Sequence, residues 1–145
     1  MKGVILVIGN VEIESSELIS QSEKLGMRID FVERVSRRMN DISERLYSLS
    51  SLDYDAIFTI GGTGIEDEDV VPEATETVID KKIPGLEYFI FREIVNTAFE
   101  GMFARIVAGL RKGTLIINLP EVGYDKVFPK IVEAIVSVKK RNDEV

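Results

Sequence analysis

Five consecutive residues, Ala56–Ile60, run straight into Gly61-Gly62-Thr63-Gly64, and no stretch restricts the fold of this chain more. The run is short, largely β-branched or aromatic, and bounded by turn residues, which predicts a buried strand. Three glycines directly after a strand leave backbone N–H groups open. Loops of that kind accept anions, phosphate above all. In open α/β sheets, ligands gather at this carboxyl end of the strands. Gly61, Gly62, Thr63 and Gly64 are therefore the candidate binding loop. Two familiar phosphate motifs do not match it. A Walker A loop would end in Gly-Lys-Ser/Thr, but Ile65 follows Gly64, and a dinucleotide fingerprint would need glycine where Asp67 stands.

The rest of the chain repeats the strand–helix alternation. Val4–Ile8 reads as a fully buried, parallel strand that turns at Gly9-Asn10. Ser15 or Ser16 can cap a helix to Leu25 with Leu18, Ile19 and Leu25 inward, and Gly26 stops it. Met27–Val35 is a second strand. Asp41 with Glu44 fits a capping box for a helix to about Leu52, with Ile42, Leu46 and Leu49 at helical spacing. Pro72 and Glu73 suit the first turn of a helix reaching about Asp80. Lys81–Leu86 reads as a connection, and Glu87–Asn96 as a helix with a broad apolar side. Met102–Leu110 is apolar but carries Arg105. Thr114–Asn118 is a fourth strand, and Leu119–Gly123 a loop. Tyr124–Lys140 is a helix with Val127, Ile131, Ile135 and Val138 facing in, and Lys139–Val145 a solvated tail. This pattern predicts one domain over residues 1–145, a three-layer α/β/α sandwich with a mostly parallel sheet.

Composition narrows the chemistry. The chain has neither Cys nor His, which excludes disulfides, thiolate nucleophiles, Cys/His zinc sites and imidazole catalysis. Carboxylates, Lys/Arg, hydroxyls, the backbone or a bound metal must do any work. A net charge of −7 disfavours nucleic acid as a partner. No apolar run is long enough to span a bilayer and no signal-peptide pattern opens the chain, so cytoplasm is the expected location.

Longer strings are more specific. Gly61-Gly62-Thr63-Gly64, then Asp69, then Pro72-Glu73-Ala74-Thr75, resembles the signature of the molybdenum-cofactor biosynthesis family that includes Mog, MoaB and the gephyrin G domain. Arg105-Ile106-Val107-Ala108-Gly109-Leu110-Arg111-Lys112, followed by Thr114–Pro120, resembles that family's second motif, in the same order and spacing. The resemblance implies a molybdopterin-binding (Mog/MoaB-like) fold, a homotrimer or hexamer, and molybdopterin and ATP as ligands. Active members transfer AMP from Mg-ATP to the molybdopterin phosphate. By position, Gly61, Gly62, Thr63 and Gly64 would cradle phosphate. Asp69 would be the functional, catalytic aspartate and the candidate Mg²⁺ ligand. Asn118, Leu119 and Pro120 would open a second ligand loop.

The chain also departs from the family pattern. Where the family carries Pro-Asp-Asp after the second strand, with a catalytic first Asp, this chain has Ser36-Arg37-Arg38. Arg37 can grip a phosphate but cannot ligate Mg²⁺. Val71 replaces a Thr, Ala104 a Ser, and Glu121 stands beside the second loop, where it would repel an anion. The resemblance thus implies either a molybdopterin adenylyltransferase or a catalytically impaired homo-oligomer that binds molybdopterin or a nucleotide.

Overall fold

The computed structural model describes residues 1–144. A six-stranded sheet forms its middle layer, in the order β2-β1-β3-β6-β5-β4. β1 (Lys2–Ile8) is nearly all buried, as its unbroken apolar sequence requires. It pairs in parallel with β2 (Arg28–Val35) on one side and β3 (Ala56–Ile60) on the other. β3 pairs in parallel with β6 (Thr114–Leu119). The chain therefore leaves β1 in one direction to build β2, then crosses back to build β3. Right-handed crossovers in opposite directions place their helices on opposite faces. α1 (Ser15–Leu25) accordingly packs on one face with α4 (Pro84–Thr97) and α5 (Tyr124–Glu144), while α2 (Met39–Ser50) and α3 (Val71–Glu76) pack on the other.

The two cores follow from alternation along the strands. Ile5, Val7, Phe58, Ile60, Ile117 and Leu119 face α1, α4 and α5. Val4, Leu6, Ile8, Ile57 and Ile116 face α2 and α3. Phe58 meets Phe128 of α5 edge-on at 4.9 Å between ring centroids.

Two strands escape the sequence reading. Lys81–Lys82, expected as connection, is the edge strand β4, and Ala108–Arg111 is β5, antiparallel to both neighbours. Lys112 and Gly113 both have positive φ, which makes the two-residue β5–β6 turn of the primed type. Helix starts also differ. α1 begins at Ser15 after Glu14, and α2 at Met39 after Arg38, neither with a side-chain cap. Asp41 is inside the first turn of α2 and accepts from Ser36 Oγ at 2.6 Å instead of capping. Pro84 starts α4 three residues before the expected Glu87. The apolar run after Met102 divides between a short 3₁₀ helix (Phe99–Phe103) and β5. Leu119 closes β6 and is not in a loop. Val138 is exposed, while Val127, Ile131 and Ile135 are buried as expected. The expected solvated tail is helical to Glu144, and its last residue, Val145, lies outside the described residues.

Candidate functional site

β3 delivers its glycines to the carboxyl edge of the sheet, beside the switch point between β1 and β3. Gly61 (φ +100°) and Gly62 (φ +70°) hold left-handed backbone that only glycine adopts without strain. Space demands glycine as well. A Cβ on Gly61 would sit 2.6 Å from Val11 Cγ2, and one on Gly62 2.5 Å from Val71 Cγ2.

The protein's own hydrogen bonds fix which way the loop faces. The Gly61 N–H donates to Leu119 O at 3.0 Å, so that amide is used internally. The next three carbonyls are all held. Gly62 O accepts from Val71 N (3.1 Å), Thr63 O from Arg105 N (2.8 Å) and Gly64 O from Arg105 Nε (2.7 Å). In a trans peptide the N–H points opposite to the C=O. Pinning these carbonyls therefore turns the N–H groups of Thr63, Gly64 and Ile65 away from the protein's acceptors. None of them donates to another group among the described residues. All three residues line a cavity of about 430 Å³.

Arg105 organises this loop. Besides its bonds to Thr63 and Gly64, its guanidinium donates to Asp69 O and pairs with Glu73. Its donors are thus largely spent on protein. Asp69 lies against Gly64: Oδ2 accepts the Glu66 N–H at 3.0 Å, and a Cβ on Gly64 would come within 2.6 Å of the same oxygen.

The expected site residues separate into two groups. Gly62, Thr63, Gly64, Asp69 and Pro120 meet around the cavity. Gly61, Asn118 and Leu119 stand behind it. Asn118 is fully buried on the α3 side of the sheet, and its Nδ2 lies 3.0 Å from Thr59 Oγ1 and 2.9 Å from Thr75 Oγ1. Leu119 is core, and its carbonyl serves Gly61. The sequence reading did not place Glu100 or Phe103 at the cavity, yet both line it with Ala104. They come from the 3₁₀ turn before Arg105, and that neighbourhood to the motif is the one signal pointing to them. Glu66, Asp69, Glu100 and Glu121 give the rim an acidic character against the open amides.

Comparison with known proteins is consistent with this geometry. The family described as "Probable molybdopterin binding domain" matches residues 9–137. The chain belongs to this family. It is 37% identical over 81 residues to the molybdopterin adenylyltransferase of Helicobacter pylori, covering 56% of this chain and 45% of that protein. It is 33% identical over 86 residues to gephyrin of Dictyostelium discoideum, covering 59% of this chain and 12% of that one. The chain thus spans less than half the length of these curated relatives. The Mog protein of Mycobacterium ulcerans superposes with a TM-score of 0.81 at 26% identity, covering 99% of both chains. The MoaB of Thermus thermophilus does so at 0.74 and 28%, covering 94% of this chain and 90% of that one. The six-stranded, mostly parallel sheet of this domain is therefore that of the Mog and MoaB proteins.

Proposed function

We propose that this chain binds molybdopterin, with the terminal phosphate on the Thr63, Gly64 and Ile65 amides and the pterin along the wall formed by Phe103, Pro120 and Val122. The observation that supports this reading is the pinning of three successive carbonyls, beside three successive N–H groups that have no protein acceptor among the described residues and belong to residues lining one concavity. Preset amides bind an anion without reorganising when it arrives. Backbone donors also suit a cavity whose side-chain charges are acidic, because the phosphate is gripped through dipoles close at hand.

The relatives named molybdopterin adenylyltransferase favour a further step, transfer of AMP. In that reaction an oxygen of the bound molybdopterin phosphate attacks the α-phosphorus of ATP. A new P–O–P bond forms, and the bond to the departing pyrophosphate breaks. The amides would hold the attacking phosphate in place, which is the larger part of what such a reaction needs.

A Mg²⁺ at Asp69 is expected from the family resemblance, and an ion held by this one carboxylate would take its other ligands from phosphate oxygens and water. One Asp69 oxygen already accepts the Glu66 N–H. No three acidic side chains converge as a metal site among the described residues. We derive no step through a metal.

Titrating the protein with molybdopterin tests the binding reading. Gly64→Ala is the informative variant, since its Cβ would displace the Asp69 carboxylate at the loop while Gly64 has no positive φ to strain. Saturable one-to-one binding that weakens at least tenfold in Gly64→Ala is the expected result. Absence of binding, or equal binding by both proteins, overturns it. Adding ATP and looking for adenylylated pterin decides the transfer step.

A further inference from the structure

The cavity has two walls of different chemistry. One is the glycine loop, with the N–H groups of Thr63, Gly64 and Ile65 that have no acceptor among the described residues. The other is built from the 3₁₀ turn, through Glu100, Phe103 and Ala104, and from the end of β6, through Pro120, Glu121 and Val122. Every polar side chain on that second wall is a carboxylate. In its charged form a carboxylate only accepts hydrogen bonds. A phosphate is repelled there, whereas a head group rich in N–H donors is favoured.

The two carboxylates of this wall are not equivalent. Glu100 and Phe103 stand three residues apart in one 3₁₀ turn, Phe99–Phe103. Three residues complete a 3₁₀ turn, so side chains at that spacing eclipse. Both line the cavity, which therefore meets an aromatic ring with a carboxylate beside it. Glu121 has no such ring. Tyr124, three residues on, does not line this cavity and accepts the Glu14 N–H at 3.4 Å. Neither Glu100 nor Glu121 is in an ion pair among the described residues, so no cation has to leave when a ligand donor arrives.

We propose that Glu100 sets specificity for the donor edge of the pterin: its carboxylate accepts two parallel bonds, from the 2-amino group and the adjoining ring N–H, while Phe103 packs on the ring. Paired N–H donors in one plane match the two oxygens of a carboxylate, and bonds to a charged acceptor are the strong ones. Aromatic rings add attraction in offset or edge-on contact. Replacing the amino group by a carbonyl would set oxygen against oxygen, and a site that hydrogen-bonds its ligand rejects the analogue lacking the donor. The class selected is a flat heterocycle with an amino group next to a ring N–H and an anion at its far end. The proposal rests on the molybdopterin reading above for the seat of the phosphate, and it names the residue that reads the opposite end of the ligand.

The test is calorimetry with two probes that differ only at that edge, hydroxymethylpterin monophosphate and its lumazine analogue, in which the 2-amino group is a carbonyl. The unaltered protein should prefer the pterin by about tenfold or more. Glu100→Gln should weaken the pterin about tenfold while leaving the lumazine equal or tighter, so that the preference shrinks to within about threefold. Glu121→Gln removes one charge from the same wall, and it should shift both probes together and keep the preference. Glu100 and Glu121 are exposed, and an unchanged melting temperature shows that the variants fold. No preference in the unaltered protein, or a preference that survives Glu100→Gln or vanishes in Glu121→Gln, overturns the proposal. Gly64→Ala separates it from the phosphate seat. Both probes should weaken in that variant with their ratio kept. Probes that bind, weaken in Gly64→Ala and are not told apart would leave the phosphate seat standing and reject the role of Glu100, whereas no binding of either probe rejects both.

Discussion

Arg105 Nε lies 2.7 Å from the carbonyl oxygen of Gly64, across 41 residues of sequence. One side chain thereby joins the two motifs of the domain. The same guanidinium holds Asp69 O and the Glu73 carboxylate, while its backbone N–H holds Thr63 O. Arg105 is best understood as a positioning residue: it acts on a ligand through the loop it orients.

Replacing Arg105 with Lys tests that role. An ammonium reaches one acceptor well, whereas the planar fork serves several in fixed directions. Arg105→Lys should weaken molybdopterin about tenfold or more while lowering stability by only about 1 kcal/mol, since the side chain is partly exposed. Titration and thermal melting of the same samples check both halves. Full affinity in Arg105→Lys would show that the loop is set without the fork.

Asn118 gives the converse pattern. Its amide lies between Thr59 and Thr75 with no exposed surface, and Oδ1 has no partner among the described residues. Asn118→Ala leaves two hydroxyls without that amide and a hole beside the sheet. A loss of about 2–4 kcal/mol in denaturant unfolding is expected. Ligand affinity of the remaining folded protein should stay within threefold, because the side chain does not reach the cavity. A large affinity loss at unchanged stability would instead return Asn118 to the ligand.

How much of this was readable in the sequence depends on how local the cause was. β1, β3 and β6 declared themselves because strands buried on both faces are apolar without interruption. The glycine loop did so because positive φ and close approach select glycine at 61 and 62. β4 and β5 left no such mark. Lys81-Lys82 is exposed at the sheet edge, where lysines discourage further pairing, and Ala108-Gly109-Leu110-Arg111 has little β propensity. Gly109 is there because Lys81 O of the neighbouring strand passes over it, a fact of tertiary approach alone. The capping box at Asp41 misled for a related reason. Ser36 Oγ reaches that carboxylate across the preceding turn, and the helix begins two residues earlier. Of the residues that the two motifs singled out, Gly62, Thr63, Gly64, Asp69 and Pro120 line the cavity, whereas the Asn118 and Leu119 side chains are packed within the sheet layers. Glu100 and Phe103 reach the cavity only because the 3₁₀ turn is folded back beside Ala104.

Acid should expose a specific contact at the opposite edge of the sheet. Asp55 is partly buried, which by itself would raise its pKa. Hydrogen bonds from Lys139 Nζ (2.8 Å) and Lys2 N (2.8 Å), with the nearby positive charge of Lys139 and the amino terminus, outweigh burial and lower it below its ordinary 3.8. A depressed carboxylate pKa means that the unfolded chain takes up the proton first as pH falls. The stabilisation is therefore complete above 3.8 and disappears as pH drops below it through the folded-state value. Asp55→Asn should cost about 1 kcal/mol at pH 7 and make the variant less sensitive than the parent to pH between 4 and 2. Parallel stability–pH curves for the two proteins would show that Asp55 is not the group responsible.

The last expectation concerns assembly. Tyr88, Phe99, Met102 and Phe103 are all more than half exposed, and the last three share the 3₁₀ turn that borders the cavity. Exposed large apolar side chains concentrated on one turn signal contact with another molecule. We expect that contact to be a second copy of this chain, giving the homotrimer or hexamer anticipated from the family resemblance. Because Phe103 also lines the cavity, assembly would wall the site on one side. Phe99→Asp places a charge on the most exposed of these residues without touching the cavity lining. Sedimentation should then show the parent as a trimer or hexamer and Phe99→Asp as a monomer. Molybdopterin affinity should fall with dissociation, by several-fold, and recover at protein concentrations that restore the oligomer. A parent that sediments as a monomer over the micromolar range would refute the assembly, and an oligomer whose affinity is indifferent to Phe99→Asp would separate it from the site.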